Sequence, residues 1–365
     1  MSFLKKILGK KEEKINTYED FWNWFIQNNK NFFNIVKDGK NIEKNFFNLL
    51  SEKLNQIKEG YFFLSGMQND NTAELVITAD GNIKNIVYVE ELLNAAPEIH
   101  GWKFTALKPA NDSEDFAIEM NGYKFNSDNI KFFSTINDEF PDEINITLVF
   151  KEYKIEDKDK IDLGCFIFID HFLGELNSVS IIDKLDIIST NETTTELIDI
   201  NKLKSYLIWR EKEFVQKYDA IRHNTENDNY SSLKGKSPNG NPIIAVMNTD
   251  LLQWDEKASH QWFMCVTIKY DGSKNNGLPN NDTYQLLNEF EDEINSQLKD
   301  TDGNLNLGRE SCEGIRTIFY ACKDFRKPSK VLTEIKKTYR NKLDVEFDLY
   351  KDKYWTTLNF YVNSI

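Results

Sequence analysis

Apolar residues recur at helical spacing from Thr17 onward: Phe21, Trp24, Phe25, Phe32 and Val36 form the stripe, Thr17 can cap it, and Asp20 supplies first-turn negative charge. Asp38-Gly39 breaks this pattern. A second stripe follows, Ile42, Phe46, Leu49, Leu50, Leu54 and Ile57, and Gly60 ends it in the position glycine favours just past a helix. The period then shortens. Strands are predicted over 61–67 and 74–78, joined by the turn-rich Asn69-Asp70-Asn71. A helix over 83–96 is stopped by Pro97, and a strand over 102–107 precedes three short strands between 116 and 150. Residues 161–173 are apolar and read, from their length, as a buried helix closed by Gly174, with a last strand over 181–188.

Leu203, Leu207, Phe214 and Tyr218 mark a connecting helix. The run 224–241 is polar, rich in Asn, Ser and Gly, and reads as a linker because it has little apolar surface to bury. Beyond it the pattern is cleaner. A lead-in strand over 242–246 precedes a strand over 262–270, a helix over 282–298 and two strands over 305–309 and 315–322 that turn at Glu313-Gly314. A helix then starts near Pro328, and strict alternation predicts a final strand over 343–350. The order β-α-β-β-α-β is the ferredoxin-like arrangement. The expectation is therefore α+β with two domains: a basic tail (1–16), a mixed sheet with packed helices (17–189), a connecting helix and linker (190–241), and a ferredoxin-like domain (242–365).

Composition narrows the function classes. Across 365 residues, 40% are hydrophobic and 28% charged, which suits about two globular cores. The formal net charge of −14 argues against nucleic-acid binding, because phosphate backbones are held by Lys and Arg. Cys165, Cys265, Cys312 and Cys322 form no C-x-x-C pair, and no apolar run reaches membrane-spanning length, so a reducing cytoplasm is the expected compartment. In residues 1–14, Phe3, Leu4, Ile7 and Leu8 alternate with Lys5, Lys6, Lys10 and Lys11; this is either a frayed terminus or a membrane-surface segment.

The second half carries a resemblance. Asn276-Gly277-Leu278-Pro279, the acidic helix with Glu289, Glu291 and Asp292, and Leu307-Gly308-Arg309-Glu310 form one set of motifs. Residues 316–322 (RTIFYAC), Asp324-Phe325-Arg326 and Asp352-Lys353-Tyr354-Trp355 form another. Together, over about 204–360, they resemble the bacterial family called domain of unknown function 695. Glu74 to Gly81 and Ala95-Ala96-Pro97 with Gly101-Trp102 resemble the amino-terminal half of its longer members. The resemblance implies no assigned activity and no catalytic residues. It implies a ferredoxin-like shape that some relatives use in a regulatory protein binding a ribonuclease, which is an analogy of fold.

The candidate chemistry is sparse. His100, His171, His223 and His260 have no metal-ligand spacing, and no phosphate-cradling glycine motif or nucleophile elbow is present. Asp300-Thr301-Asp302-Gly303-Asn304 departs from a calcium loop, with glycine too early and Ser311 where a bidentate Glu belongs, so it reads as a turn. Asp344, Glu346 and Asp348 share one face of the last strand, where charge discourages edge-to-edge aggregation. No metal, cofactor or catalytic residue is assigned. The remaining surface is cationic and aromatic: Arg309, Arg316, Arg326, Lys327, Tyr354 and Trp355 have the composition of a binding hot spot, or else the arginines pair with Glu310, Glu313 and Asp324. The expectation is a non-enzymatic module that binds an unidentified protein partner. The alternative is a hydrolytic enzyme with a site between the domains, using His223 or His260 as acid–base group.

Overall fold

The structure, a computed structural model, describes residues 14–111, 113 and 116–364. The basic segment at the amino terminus, apart from Lys14, lies outside the described residues. The fold is mixed α+β and divides into two compact units, Met1–Ala110 with Gly174–Leu176, and Asn111–Leu173 with Asn177–Ile365.

In the first unit, α1 (Tyr18–Asp38) begins with a reciprocal cap. The Thr17 hydroxyl accepts from the Asp20 N–H, and the Asp20 carboxylate accepts from the Thr17 N–H. The second apolar stripe starts as a π-helical turn, Glu43–Phe47, before α2 (Asn48–Leu54). Then β1 (Phe62–Asn69) pairs antiparallel with β2 (Thr72–Thr78), and α3 (Ile83–Asn94) carries the chain to β3 (Trp102–Ala106), parallel to β2. The core is aromatic: Phe25 stands edge-on to Trp102 and Phe104, at 5.1 and 5.3 Å between ring centroids. A fully buried Glu175 carboxylate accepts from the N–H groups of Ala79, Gly81 and Lys108 and from the Thr78 hydroxyl, which fastens the turn after β2.

The second unit opens with β4 (Ala117–Met120) and β5 (Tyr123–Asn126), followed by β6 (Ile130–Thr135) and β7 (Asn145–Phe150). Four strands thus stand where three were expected. Asn121-Gly122, at φ 53° and 83°, makes a two-residue hairpin turn that cuts the first apolar stretch in two. The long apolar run is indeed a helix, α4 (Lys158–Leu173), and α5 (Glu175–Ser180) leads to β8 (Lys184–Ser189) and β9 (Ile198–Asp199). These make a four-stranded sheet, β8-β7-β6-β9, followed by α6 (Leu203–Tyr218).

The expected linker contains a strand. β10 (Tyr230–Lys236) pairs residue by residue with β11 (Pro242–Asn248). Its backbone hydrogen bonds hold it, and an edge strand accepts polar side chains on both faces. After α7 (Thr249–Leu252) come β12 (Trp262–Lys269), α8 (Asn281–Gln297), β13 (Asn304–Cys312), β14 (Ile315–Cys322), α9 (Arg326–Tyr339), β15 (Asp344–Lys351) and α10 (Asn359–Val362). The six strands run in the order β10-β11-β13-β14-β12-β15, every neighbour antiparallel, with β15 at an edge. Leu287, Phe290 and Ile294 of α8 and Leu332 and Ile335 of α9 are buried. Another apolar cluster joins Met247, Phe263 and Leu307 to Trp355, Leu358 and Tyr361. No described helix is long and apolar enough to cross a membrane.

Candidate functional site

Helix α8 carries a second stripe beside its apolar one. Tyr284, Asn288, Glu291 and Asn295 recur at helical spacing, so they share a face. Strands β10 and β11 continue the sheet past β13, and a recess of about 430 Å³ opens between them and this stripe. Tyr230, Val246, Glu291, Asn295, Asn306 and Arg309 are among its walls.

A bulge in β13 makes the wall polar. The register with β14 shifts between Asn306 and Gly308, and Leu307 is the extra residue. Residues three apart on a regular strand point to opposite faces, whereas here Asn306 and Arg309 both reach Glu291. Glycine is required at the bulge: at φ 130° Gly308 lies against β11, and a Cβ there would collide with the Val246 carbonyl and stand 2.8 Å from the Met247 Cα.

Arg309 Nη1 donates to Glu291 Oε2 at 3.0 Å, with the two side chains 27% and 6% exposed. Burial opposes the charge on Arg309, but Glu291 outweighs it and raises the guanidinium pKa above its ordinary value. The Asn306 carboxamide donates to Glu291 Oε1 at 3.3 Å and to Asn295 Oδ1 at 3.0 Å, and the Tyr320 hydroxyl donates to that same Asn295 oxygen at 2.8 Å. At one end, Asp300 accepts from the Thr225 N–H and hydroxyl, both at 2.9 Å. Those donors offset its burial and hold its carboxyl below the usual range. Burial raises the Tyr230 phenol, and the charges of Asp228, Glu291 and Asp300 push it the same way.

Beyond the other end lies Arg316, 2% exposed. Its Nε donates to Ser311 Oγ at 3.1 Å and Nη1 to Asn288 Oδ1 at 2.9 Å, and the guanidinium stacks 5.2 Å from the Tyr284 ring. Burial and the neighbouring Arg309 charge lower its pKa.

The other cationic and aromatic residues singled out from sequence lie elsewhere. Arg326 pairs with Asp324 at 2.8 Å and Lys327 with Asp302 at 2.6 Å, at the start of α9. The Tyr354 hydroxyl donates to Asp142 Oδ2 at 2.9 Å. Trp355 is 1% exposed, its indole N–H donating to the His260 carbonyl at 3.0 Å. Arg309 and Arg316 are therefore brought together, with Arg326–Lys327 in a second place and Tyr354–Trp355 in a third. Glu310 holds the Tyr361 hydroxyl and Glu313 holds Ser237, so neither pairs with these arginines. Glu291, Asn295 and Asn306, which build the recess, were not singled out as site residues. The polar stripe at helical spacing on α8 is the signal that could have found them.

The remaining candidates are simpler. Asp300 to Asp302 form a 3-10 turn before β13, as the departure from a calcium loop suggested. Lys269 lies 3.7 Å from Asp344 and 4.0 Å from Glu346 on the β15 edge. Among the described residues, no three His, Cys, Asp or Glu side chains converge as metal ligands. His223 Nε2 is 2.9 and 2.8 Å from the two Asp228 oxygens, and His260 is fully buried.

Comparison with curated proteins and with solved structures finds no match to this chain. The C-terminal part of the chain, residues 235–362, matches the model of the family of unknown function DUF695, the family that its motifs resemble.

Proposed function

We propose that this protein is a non-enzymatic binding module that engages a partner protein through the recess between α8 and β10–β11. The observation that carries this reading is the arrangement of Glu291, Arg309, Asn306 and Asn295, an ordered set of donors and acceptors lining an open concavity. Polar groups fixed by one another are pre-organised, so a partner loses little entropy in meeting them. In this reading residues 242–365 form a ferredoxin-like domain, supported by the antiparallel order β13-β14-β12-β15, to which β10 and β11 add the wall of the recess. Four free cysteines suit a reducing cytoplasm.

The test fills the recess. Val246 is half-buried in its wall, and Val246→Trp should occlude it while leaving the thermal unfolding profile close to wild type. Affinity capture from native lysate should then lose the partners that the wild-type chain retains. The same partners on both chains would remove the recess from consideration.

A hydrolytic reading has one observation in its favour. The His223–Asp228 pair has the orienting carboxylate that a general base needs, and His223 Nδ1 makes no hydrogen bond among the described residues. Hydrolysis of generic ester or phosphoester substrates, lost in His223→Ala, would support it.

A further inference from the structure

The arginines beside the recess outnumber the carboxylates that face them. Arg309 is paired with Glu291, but Arg316 has no carboxylate within ion-pair distance among the described residues; its hydrogen bonds go to the neutral Ser311 and Asn288. A guanidinium that is 2% exposed and lacks a counter-charge is costly to keep. Its second Nη makes no hydrogen bond among the described residues, and Arg309, on the adjacent strand, repels it. Tyr284 stacks on Arg316 while itself 44% exposed, so its ring lies between the Arg316 guanidinium and solvent, whereas Arg309 opens onto the recess.

We propose that Arg309 and Arg316 form an anion subsite that takes a carboxylate of the bound partner. This deepens the binding-module reading and rests on it. Two guanidiniums facing one carboxylate leave a single positive charge, which one carboxylate balances. The planar guanidinium fork also matches a carboxylate's two oxygens. A phosphate dianion would instead bring a second negative charge close to Glu291, with Asp300 also on the recess wall. Arg309, half-buried at the wall, makes the direct contact, and Arg316 supplies the field behind it.

Acetate is the probe. Titrating the full chain with sodium acetate, at ionic strength held constant with sodium chloride, should give saturable shifts of the Arg309 and Arg316 Nε–H resonances. Inorganic phosphate should bind more weakly. Arg309→Lys keeps the charge but loses the fork and should weaken acetate by about tenfold, the scale of one charge-assisted hydrogen bond. Glu291→Gln removes the competing carboxylate and should strengthen acetate binding. This reversed sign separates an anion site from simple loss of folding. Shifts that do not saturate, that survive unchanged in Arg309→Lys, or that are tighter with phosphate overturn the proposal. Failure here with partner loss in Val246→Trp would leave the recess as a binding site without this anion. Saturable acetate binding with partners retained in Val246→Trp would instead remove the recess reading alone.

Discussion

His260 is fully buried beside Trp254, its carbonyl accepting from the Trp355 indole, with ring Nδ1 2.8 Å from Ser259 Oγ and Nε2 without a hydrogen-bond partner among the described residues. Burial first, then the positive charges of Lys323 and Arg222, push its pKa from 6.5 down to about 3. Between those values the unfolded chain binds a proton that the folded chain does not. Its contribution is thus fully present above pH 6.5 and is lost as the pH falls toward about 3. His260→Gln does not titrate in that window. In urea unfolding between about pH 6 and pH 4, the variant should lose about 1.4 kcal/mol less per pH unit than wild type. Equal slopes would show that His260 charges in the folded state. Residue identity alone said little of this, because burial decides it. The same holds for Trp355: Lys353-Tyr354-Trp355 reads as a surface cluster, yet Trp355 sits at φ 54° and its indole packs in an apolar cluster with Met247 and Phe263. Arg309 and Arg316 were legible as neighbours because their strands pair across the Glu313-Gly314 turn. Their partners on α8 were not, since contact between helix and strand is set by tertiary packing.

Among the elements, β13 shows how one irregularity shapes the recess. Without the bulge, Asn306 and Arg309 would face opposite sides of the sheet and only one could meet Glu291. Gly308→Ala places a methyl against the Val246 carbonyl and Met247, in a backbone conformation that side chains rarely adopt. It should cost about 2–3 kcal/mol in urea unfolding and displace the Arg309 Nε–H resonance. Wild-type stability with an unmoved Arg309 signal would mean that β11 and β13 yield without disturbing the site. A bulge leaves no periodic trace in the sequence beyond Leu305 and Leu307 followed by glycine. The helices and strands after 242 were legible because their apolar periods are long and unmixed. β10 was not, because a strand at a sheet edge is held by backbone bonds and its side chains are free to be polar. The hairpin at Asn121-Gly122 had its signal in the sequence, an Asn-Gly pair, which the reading of three strands passed over.

On the scale of the whole molecule, a buried ion cluster within the second unit ties the edge of its four-stranded sheet to the edge of its six-stranded sheet. Asp183, just before β8, accepts from Lys351 at 2.8 Å and from Lys353 at 2.7 Å. The side chains of Asp183, Lys351 and Lys353 are 8%, 7% and 1% exposed. Lys353 also donates to the Asp142 carbonyl at 2.8 Å, and Lys351 to the Ile181 carbonyl at 2.9 Å. Burial disfavours the Asp183 charge, and the two ammonium groups outweigh it and hold the carboxyl below 3.8; burial also lowers Lys351 to about 8. A depressed carboxyl stabilises the fold above the ordinary value and loses that contribution as the pH falls through the folded one. Such a cluster adds little stability over apolar packing, but losing one member strands the others. Asp183→Asn leaves two buried ammonium groups with only neutral acceptors, and should cost about 3–5 kcal/mol at neutral pH. Asp183→Leu combined with Lys351→Met and Lys353→Met should recover most of that loss, because no buried charge then remains in the cluster. Urea unfolding followed by circular dichroism at neutral pH measures both. If Asp183→Asn stays within about 1 kcal/mol of wild type, on the scale of an exposed pair, water must reach the cluster and the two sheets are joined by their apolar contacts instead.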